Sequence, residues 1–145
     1  MIKFSIIIPC RDEEDNIELI LKNIKKNCIY SDYEIIFIED FSTDRTPEIL
    51  KEVSEKNSTV YYKVNKLKGL GGAISLGLNE AKGDYITIMM ADSADSIDDL
   101  NVYFKMIQEN NYDAIFGSRF IKGSKVENYP KLKLFLNRIF NYLTK

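Results

Sequence analysis

The sequence contains no histidine, so the commonest general base at neutral pH is missing, and no embedded carboxylate clearly takes its place. Cysteine is scarce. Cys10 and Cys28 fall at an expected strand end and on an expected helix stripe, where they read as small buried hydrophobes. No stretch approaches the roughly 20 apolar residues of a membrane-spanning helix. The first apolar run is cut by Pro9 and then by Arg11, Asp12, Glu13 and Glu14, too early for the core of a signal peptide. These absences set the expectation of a reducing, cytoplasmic setting, with any membrane contact peripheral and on the inner face. An excess of one charge is lacking too. Twenty Lys and Arg stand against 22 Asp and Glu, a net charge of -2, which gives no electrostatic reason to expect nucleic acid as partner.

What is present is enough apolar material for one core: 45% hydrophobic residues in 145, the size of a single domain. The charge is unevenly placed. From Arg119 onward there are seven basic residues and one acidic residue, Glu127, so an anionic ligand or surface is expected near that end. Apolar runs of strand length alternate with segments of helical period, which predicts an α/β sandwich around a mainly parallel sheet. Strands are expected at Lys3 to Ile8, Tyr33 to Glu39, Val60 to Val64, Tyr85 to Met89 and Asp113 to Phe116. The first, second and fourth are near-continuous apolar runs and are expected to be central. Ile17, Ile20, Leu21, Ile24 and Cys28 mark one inward helix face. Thr46 with Pro47 predicts a capped second helix, Leu70 to Ala81 a third, and Ser96 caps a fourth whose Leu100, Phe104 and Ile107 face inward.

In open α/β sheets ligands bind beyond the carboxyl ends of strands, and three polar clusters stand there. They are IPCRDEEDNI after the first strand, EDFSTDRTPEI after the second and MADSADSIDDL after the fourth. Glu39, Asp40, Ser42 and Asp44 can accept hydrogen bonds from a base or ribose; the same residue types also serve as caps and turn formers. Asp92, Asp95, Asp98 and Asp99 offer hard oxygen ligands suited to Mg²⁺ or Mn²⁺ beside a diphosphate, or a solvated helix start. The stretch KGLGGAISLG has Gly69, Gly71, Gly72 and Gly77, but Ile74 stands where GxGxxG needs its last glycine, which disfavours a dinucleotide site. Its small residues allow close backbone approach to a ligand or to the sheet.

In order and spacing these pieces resemble the family 2 glycosyltransferases of the GT-A fold, in particular those acting on polyprenyl or dolichyl phosphates. The matching segments are Pro9 to Glu13, Glu39 to Thr46, Gly69 to Gly77, Gly83 to Ile86, and Gly117, Ser118, Arg119, Phe120 with Lys122 and Gly123. The resemblance implies a three-layer sandwich whose residues 1–123 bind the nucleotide sugar, followed by a basic amphipathic helical segment over 124–145. It implies an inverting transferase using a UDP- or GDP-linked sugar. Pro9, Arg11, Glu13, Asp40, Asp44, Gly69 and Gly71 would line the nucleotide site, with Asp40 accepting from the base and standing outside the core. Asp92 would hold a Mg²⁺ or Mn²⁺ ion on the diphosphate. Met90 replaces the first carboxylate of the family's DxD, so the ion would rest on Asp92, diphosphate oxygens, water and Asp95.

A phosphate acceptor fits the missing histidine, because it is already an anion and needs no deprotonation. Arg119 is the candidate to hold that lipid phosphate bidentately. The rival expectation is a non-catalytic nucleotide-binding module that keeps the fold, favoured by Met90 and by the early end of the chain. A nucleotidyltransferase is disfavoured, since IPCRDEE is not a glycine-rich basic loop. In the tail, Leu132, Phe135, Leu136, Ile139, Phe140 and Leu143 form one apolar stripe, with Lys131, Arg138 and Lys145 on one flank and Lys133 on the other. That stripe can lie on an anionic bilayer or pack in a homodimer.

Overall fold

The computed structural model describes residues 3–110, 112–117 and 131–143. The elements in order are β1 (Phe4–Cys10), α1 (Ile17–Asn27), β2 (Tyr33–Glu39), α2 (Thr46–Lys56), β3 (Val60–Val64), α3 (Leu70–Glu80), β4 (Tyr85–Ile88), α4 (Ile97–Glu109) and α5 (Lys131–Leu143). The strands form one parallel sheet in the order β3-β2-β1-β4, and Ile7 of β1 sits in register with Ile36 of β2 and Ile88 of β4. The expected α/β sandwich is therefore present. On one face, Phe4, Ile6 and Ile8 pack with Ile17, Ile20 and Ile24 of α1, Leu50 of α2 and Leu100 and Phe104 of α4. On the other, Ile7, Ile36 and Ile38 meet Ala73 and Leu76 of α3. Helices thus cover both faces, which explains why β1 and β2 read as unbroken apolar runs.

Small and aromatic residues set how closely these layers approach. Phe4 stacks on Phe104 with centroids 3.8 Å apart, and Tyr30 meets the Phe4 ring edge-on at 5.3 Å, anchoring α4 to the start of β1. A Cβ on Gly77 would collide with the Ile7 side chain, so α3 rests on the sheet at a distance that only glycine permits. Ser5 and Glu34 are the polar breaks in the two central strands. The Ser5 hydroxyl donates to the Glu34 carboxylate at 2.7 Å, the Lys82 N–H donates to that carboxylate at 2.7 Å, and the Gly83 N–H donates to the Ser5 hydroxyl at 2.8 Å. Together they pin the turn between α3 and β4 under the sheet.

Several expectations need correction. Residues 113–116 form no strand; Phe116 is 89% exposed, and the run holds only two large apolar residues, too few to bury a strand on both faces. Among the described residues β4 is consequently an edge strand, not a central one, and it alternates half-buried with exposed residues. The second helix begins at Thr46 itself, with Arg45 ahead of it, because the Thr46 hydroxyl is used to accept the Glu13 N–H at 2.8 Å instead of capping. Cys28 caps the end of α1 and is half-buried, whereas Cys10 is buried; neither is paired. Ser96 does cap α4, accepting the Asp98 N–H at 3.2 Å.

Candidate functional site

The chain runs β1 to β2 to β3 in one direction and then crosses back to place β4 on the other side of β1. The carboxyl ends of β1 and β4 therefore flank the point where strand order reverses, the usual crevice for a ligand in this class of sheet. Pro9 helps to open it. Its partner on β2 is Ile38, while the β1–β4 ladder ends with the Met89 N–H donating to the Ile7 carbonyl at 2.9 Å, so the missing proline N–H falls where no β4 partner continues.

The loops after β1 and β2 are locked together by side chains. The Thr43 N–H and hydroxyl donate to Asp12 Oδ1 at 2.6 and 3.1 Å, and the Asp12 N–H donates to the Ser42 hydroxyl at 3.1 Å. The Glu14 N–H donates to Asp44 Oδ2 at 3.0 Å, the Arg45 N–H to Glu14 Oε2 at 3.1 Å, and the Thr46 N–H to Asp44 Oδ1 at 2.9 Å. Partial burial raises the Asp44 carboxyl's affinity for a proton, but the bonds from Thr46 and Glu14 outweigh that, and its pKa is lowered from the usual 3.8. Glu13 accepts from the Asn16 amide at 2.7 Å, and exposed Arg11 lies 3.9 Å from Asp12, too loose to fix the arginine. Among the described residues Arg11, one position past β1, is thus only loosely held.

Asp40 is 5% exposed, which corrects the expectation that it stands outside the core. Its Oδ1 and Oδ2 accept the Gly69 N–H at 2.9 and 3.0 Å, and Oδ1 also accepts the Asn65 amide at 2.7 Å. Gly69 has φ 115° and ψ 157°, a conformation essentially reserved for glycine, so this carboxylate holds the turn that starts α3 in a shape no other residue adopts easily. Gly71 has open space where a Cβ would be. Beyond β4, Asp95 Oδ2 accepts the Met90 N–H at 2.8 Å, and Asp92 Oδ1 accepts the Ala94 N–H at 3.0 Å with its side chain exposed. Met90 itself is exposed. Arg119 lies outside the described residues, as do Lys122 and Gly123.

Residues 5–145 match the family model described as glycosyl transferase family 2. The chain belongs to that family. It is 37% identical over 128 residues to a dolichol-phosphate mannosyltransferase of Pyrococcus furiosus, covering 88% of this chain and 36% of the relative. A poly-β-1,6-N-acetyl-D-glucosamine synthase of Staphylococcus aureus is 30% identical over 114 residues, 79% of this chain and 27% of the synthase. The chain thus spans about a third of these relatives' length. Among solved structures, S. aureus TarS 1–349 superposes with a TM-score of 0.64 at 23% identity, over 75% of this chain and 33% of that one. The mannosyltransferase PcManGT of Pyrobaculum calidifontis, solved with GDP-Man and Mn²⁺, gives 0.60 at 25% identity over 71% and 31%. The fold is GT-A.

In this family 2 chain the loops after β1 and β2 that the sequence singled out do lie against each other, but one residue that holds the neighbouring turn was not foreseen. Asn65 is buried and ties Asp40 to the Leu67 carbonyl at 2.7 Å; its only signal was a lone amide after a strand end. Glu39, which the sequence did single out as a candidate acceptor, is buried beside Asp40 and accepts the Ser42 N–H at 2.5 Å. Asp12, Phe41 and Ser93 adopt left-handed backbone two residues past β1, two past β2 and five past β4, a conformation common enough for Asp but one the sequence does not announce for Phe41.

Proposed function

We propose that the protein is an inverting glycosyltransferase that moves a sugar from a UDP- or GDP-linked donor to a polyprenyl phosphate or another membrane-associated acceptor. The observation that carries this reading is the strand-order reversal between β1 and β4, with the interlocked β1 and β2 loops and exposed Asp92 all following the carboxyl ends of these parallel strands. The relatives agree with both halves: one is named for dolichol phosphate, TarS has been solved with UDP-GlcNAc, and PcManGT with GDP-Man and Mn²⁺.

The carboxylates present suit a divalent ion shared with a substrate. Among the described residues no group of three or more His, Cys, Asp or Glu converges, so these residues by themselves build no closed metal cage. Exposed Asp92, with Asp95 close behind it in the same loop, instead supplies the one or two carboxylates that Mg²⁺ or Mn²⁺ takes when phosphate oxygens complete its shell. The ion would neutralise charge on the departing diphosphate.

The rest of the reaction falls to positioning. An acceptor phosphate oxygen attacks the sugar's anomeric carbon, the bond from that carbon to the diphosphate breaks, and the nucleoside diphosphate leaves from the opposite face, inverting the centre. No proton has to be removed from a phosphate anion, so a chain without histidine can serve. Arg11, Glu13 and the loop held by Asp40, Gly69 and Gly71 frame the nucleotide, Asp44 braces that frame, and Arg119 holds the acceptor phosphate. A transfer assay with UDP- and GDP-sugars, Mn²⁺ and a polyprenyl phosphate tests the reading. Labelled sugar should pass to the lipid, and Arg119→Ala should raise the KM for the lipid more than it lowers kcat. Nucleotide-sugar binding without any transfer would favour the non-catalytic module that Met90 invites.

A further inference from the structure

Phe41 breaks a rule that its neighbours keep. Asp12 also has left-handed backbone, but its short carboxylate accepts hydrogen bonds from Thr43, which is how polar residues offset that conformation. Phe41, at φ 60°, has no polar group to do so, and a bulky residue there is an outlier that persists only where its surroundings impose it. The surroundings do impose it. On one side the Asp40 N–H is fixed to the Cys10 carbonyl at 2.9 Å, and on the other the Ser42 N–H is fixed to Glu39. Yet the ring is not used in the core: it is 44% exposed. The Lys68 ammonium lies 5.9 Å from its centroid, at the outer limit of a cation–π contact, on the residue just before Gly69.

We infer that the Phe41 ring is the platform on which the base of the nucleotide donor stacks, with Lys68 as the cation beside it. This rests on the nucleotide-sugar reading above and adds the residue that grips the base. The placement follows from the sheet. Asp92 marks the diphosphate end after β4, and β2 lies two strand spacings away across β1, roughly 10 Å, the scale of a nucleoside with its phosphates. An aromatic face paired with a nearby cation is the combination that takes a π-faced, anionic ligand with little regard to sequence or base.

The absence of tryptophan from the chain makes the test direct. Phe41→Trp places a single indole fluorophore at the proposed platform, and its emission should be strongly quenched as UDP or GDP saturates the site. Calorimetry should show Phe41→Trp holding nucleotide about as well as the wild type, while Phe41→Asn and Phe41→Gly, which suit the left-handed backbone but lack a ring, lose about tenfold or more. Pyrophosphate with Mn²⁺ should bind all four proteins alike. If the wild type binds no nucleotide, the nucleotide reading itself fails. If the wild type binds and Phe41→Asn binds equally well, or the indole emission of Phe41→Trp ignores a saturating nucleotide, the platform is overturned while the nucleotide reading stands.

Discussion

Asp40 was legible as a polar residue past a strand end, but not as a buried one. Sequence position places a side chain at the carboxyl end of a strand; whether it points to solvent or into the next loop depends on Asn65 and Gly69, 25 and 29 residues on. Its replacement by alanine would leave the Gly69 N–H and the Asn65 amide without that acceptor. Asp40→Ala is therefore expected to lower stability by about 1–3 kcal/mol as well as to abolish nucleotide binding, and denaturant unfolding beside calorimetry separates the two. Unfolding unchanged from the wild type would show that the carboxylate is not needed to hold the glycine turn. Asp92 is the opposite case, exposed and, among the described residues, held by the Ala94 N–H alone, so Asp92→Asn should cost little stability. It should weaken Mn²⁺-dependent binding of the nucleoside diphosphate while leaving the free nucleoside unaffected, and Met90→Asp should strengthen the Mn²⁺ dependence. Equal losses for both ligands on Asp92→Asn would refute a metal role.

At the scale of elements, period and run length served well where burial is two-sided. β2 and β3 lie where their apolar runs placed them, and α1 presents the Ile17, Ile20, Leu21 and Ile24 stripe to the sheet. They failed at Asp113 to Phe116, where a short run carries no information about whether a neighbouring strand will receive it, and at Thr46, where a distant Glu13 N–H took the hydroxyl that a local cap would have used. The glycine stretch was readable as close approach, but its target was not. Gly77 meets Ile7, a contact between elements 70 residues apart. Gly77→Ala should force α3 off β1 or Ile7 out of its rotamer, costing about 1–3 kcal/mol in unfolding free energy. A stability equal to the wild type's would mean that α3 packs more loosely than the geometry indicates.

For the whole molecule, α5 leaves Leu132, Phe135, Leu136, Ile139 and Phe140 exposed, and no helix among the described residues is long and apolar enough to cross a membrane. An exposed apolar stripe edged by lysine and arginine, on a chain proposed to act on a lipid phosphate, predicts peripheral binding. The protein should sediment with anionic liposomes at low salt, be largely released at high salt, and lose this behaviour when cut after Pro130. A salt-resistant dimer that the same cut makes monomeric would assign the stripe to a homodimer contact instead. The central claim, that the crevice at the strand-order reversal binds a sugar nucleotide, is tested most directly by calorimetric titration of the intact chain with UDP- and GDP-sugars, with and without Mn²⁺. The structure predicts saturable binding of at least one of them, tightened by Mn²⁺; a folded protein that binds none of them, with or without the ion, would contradict it.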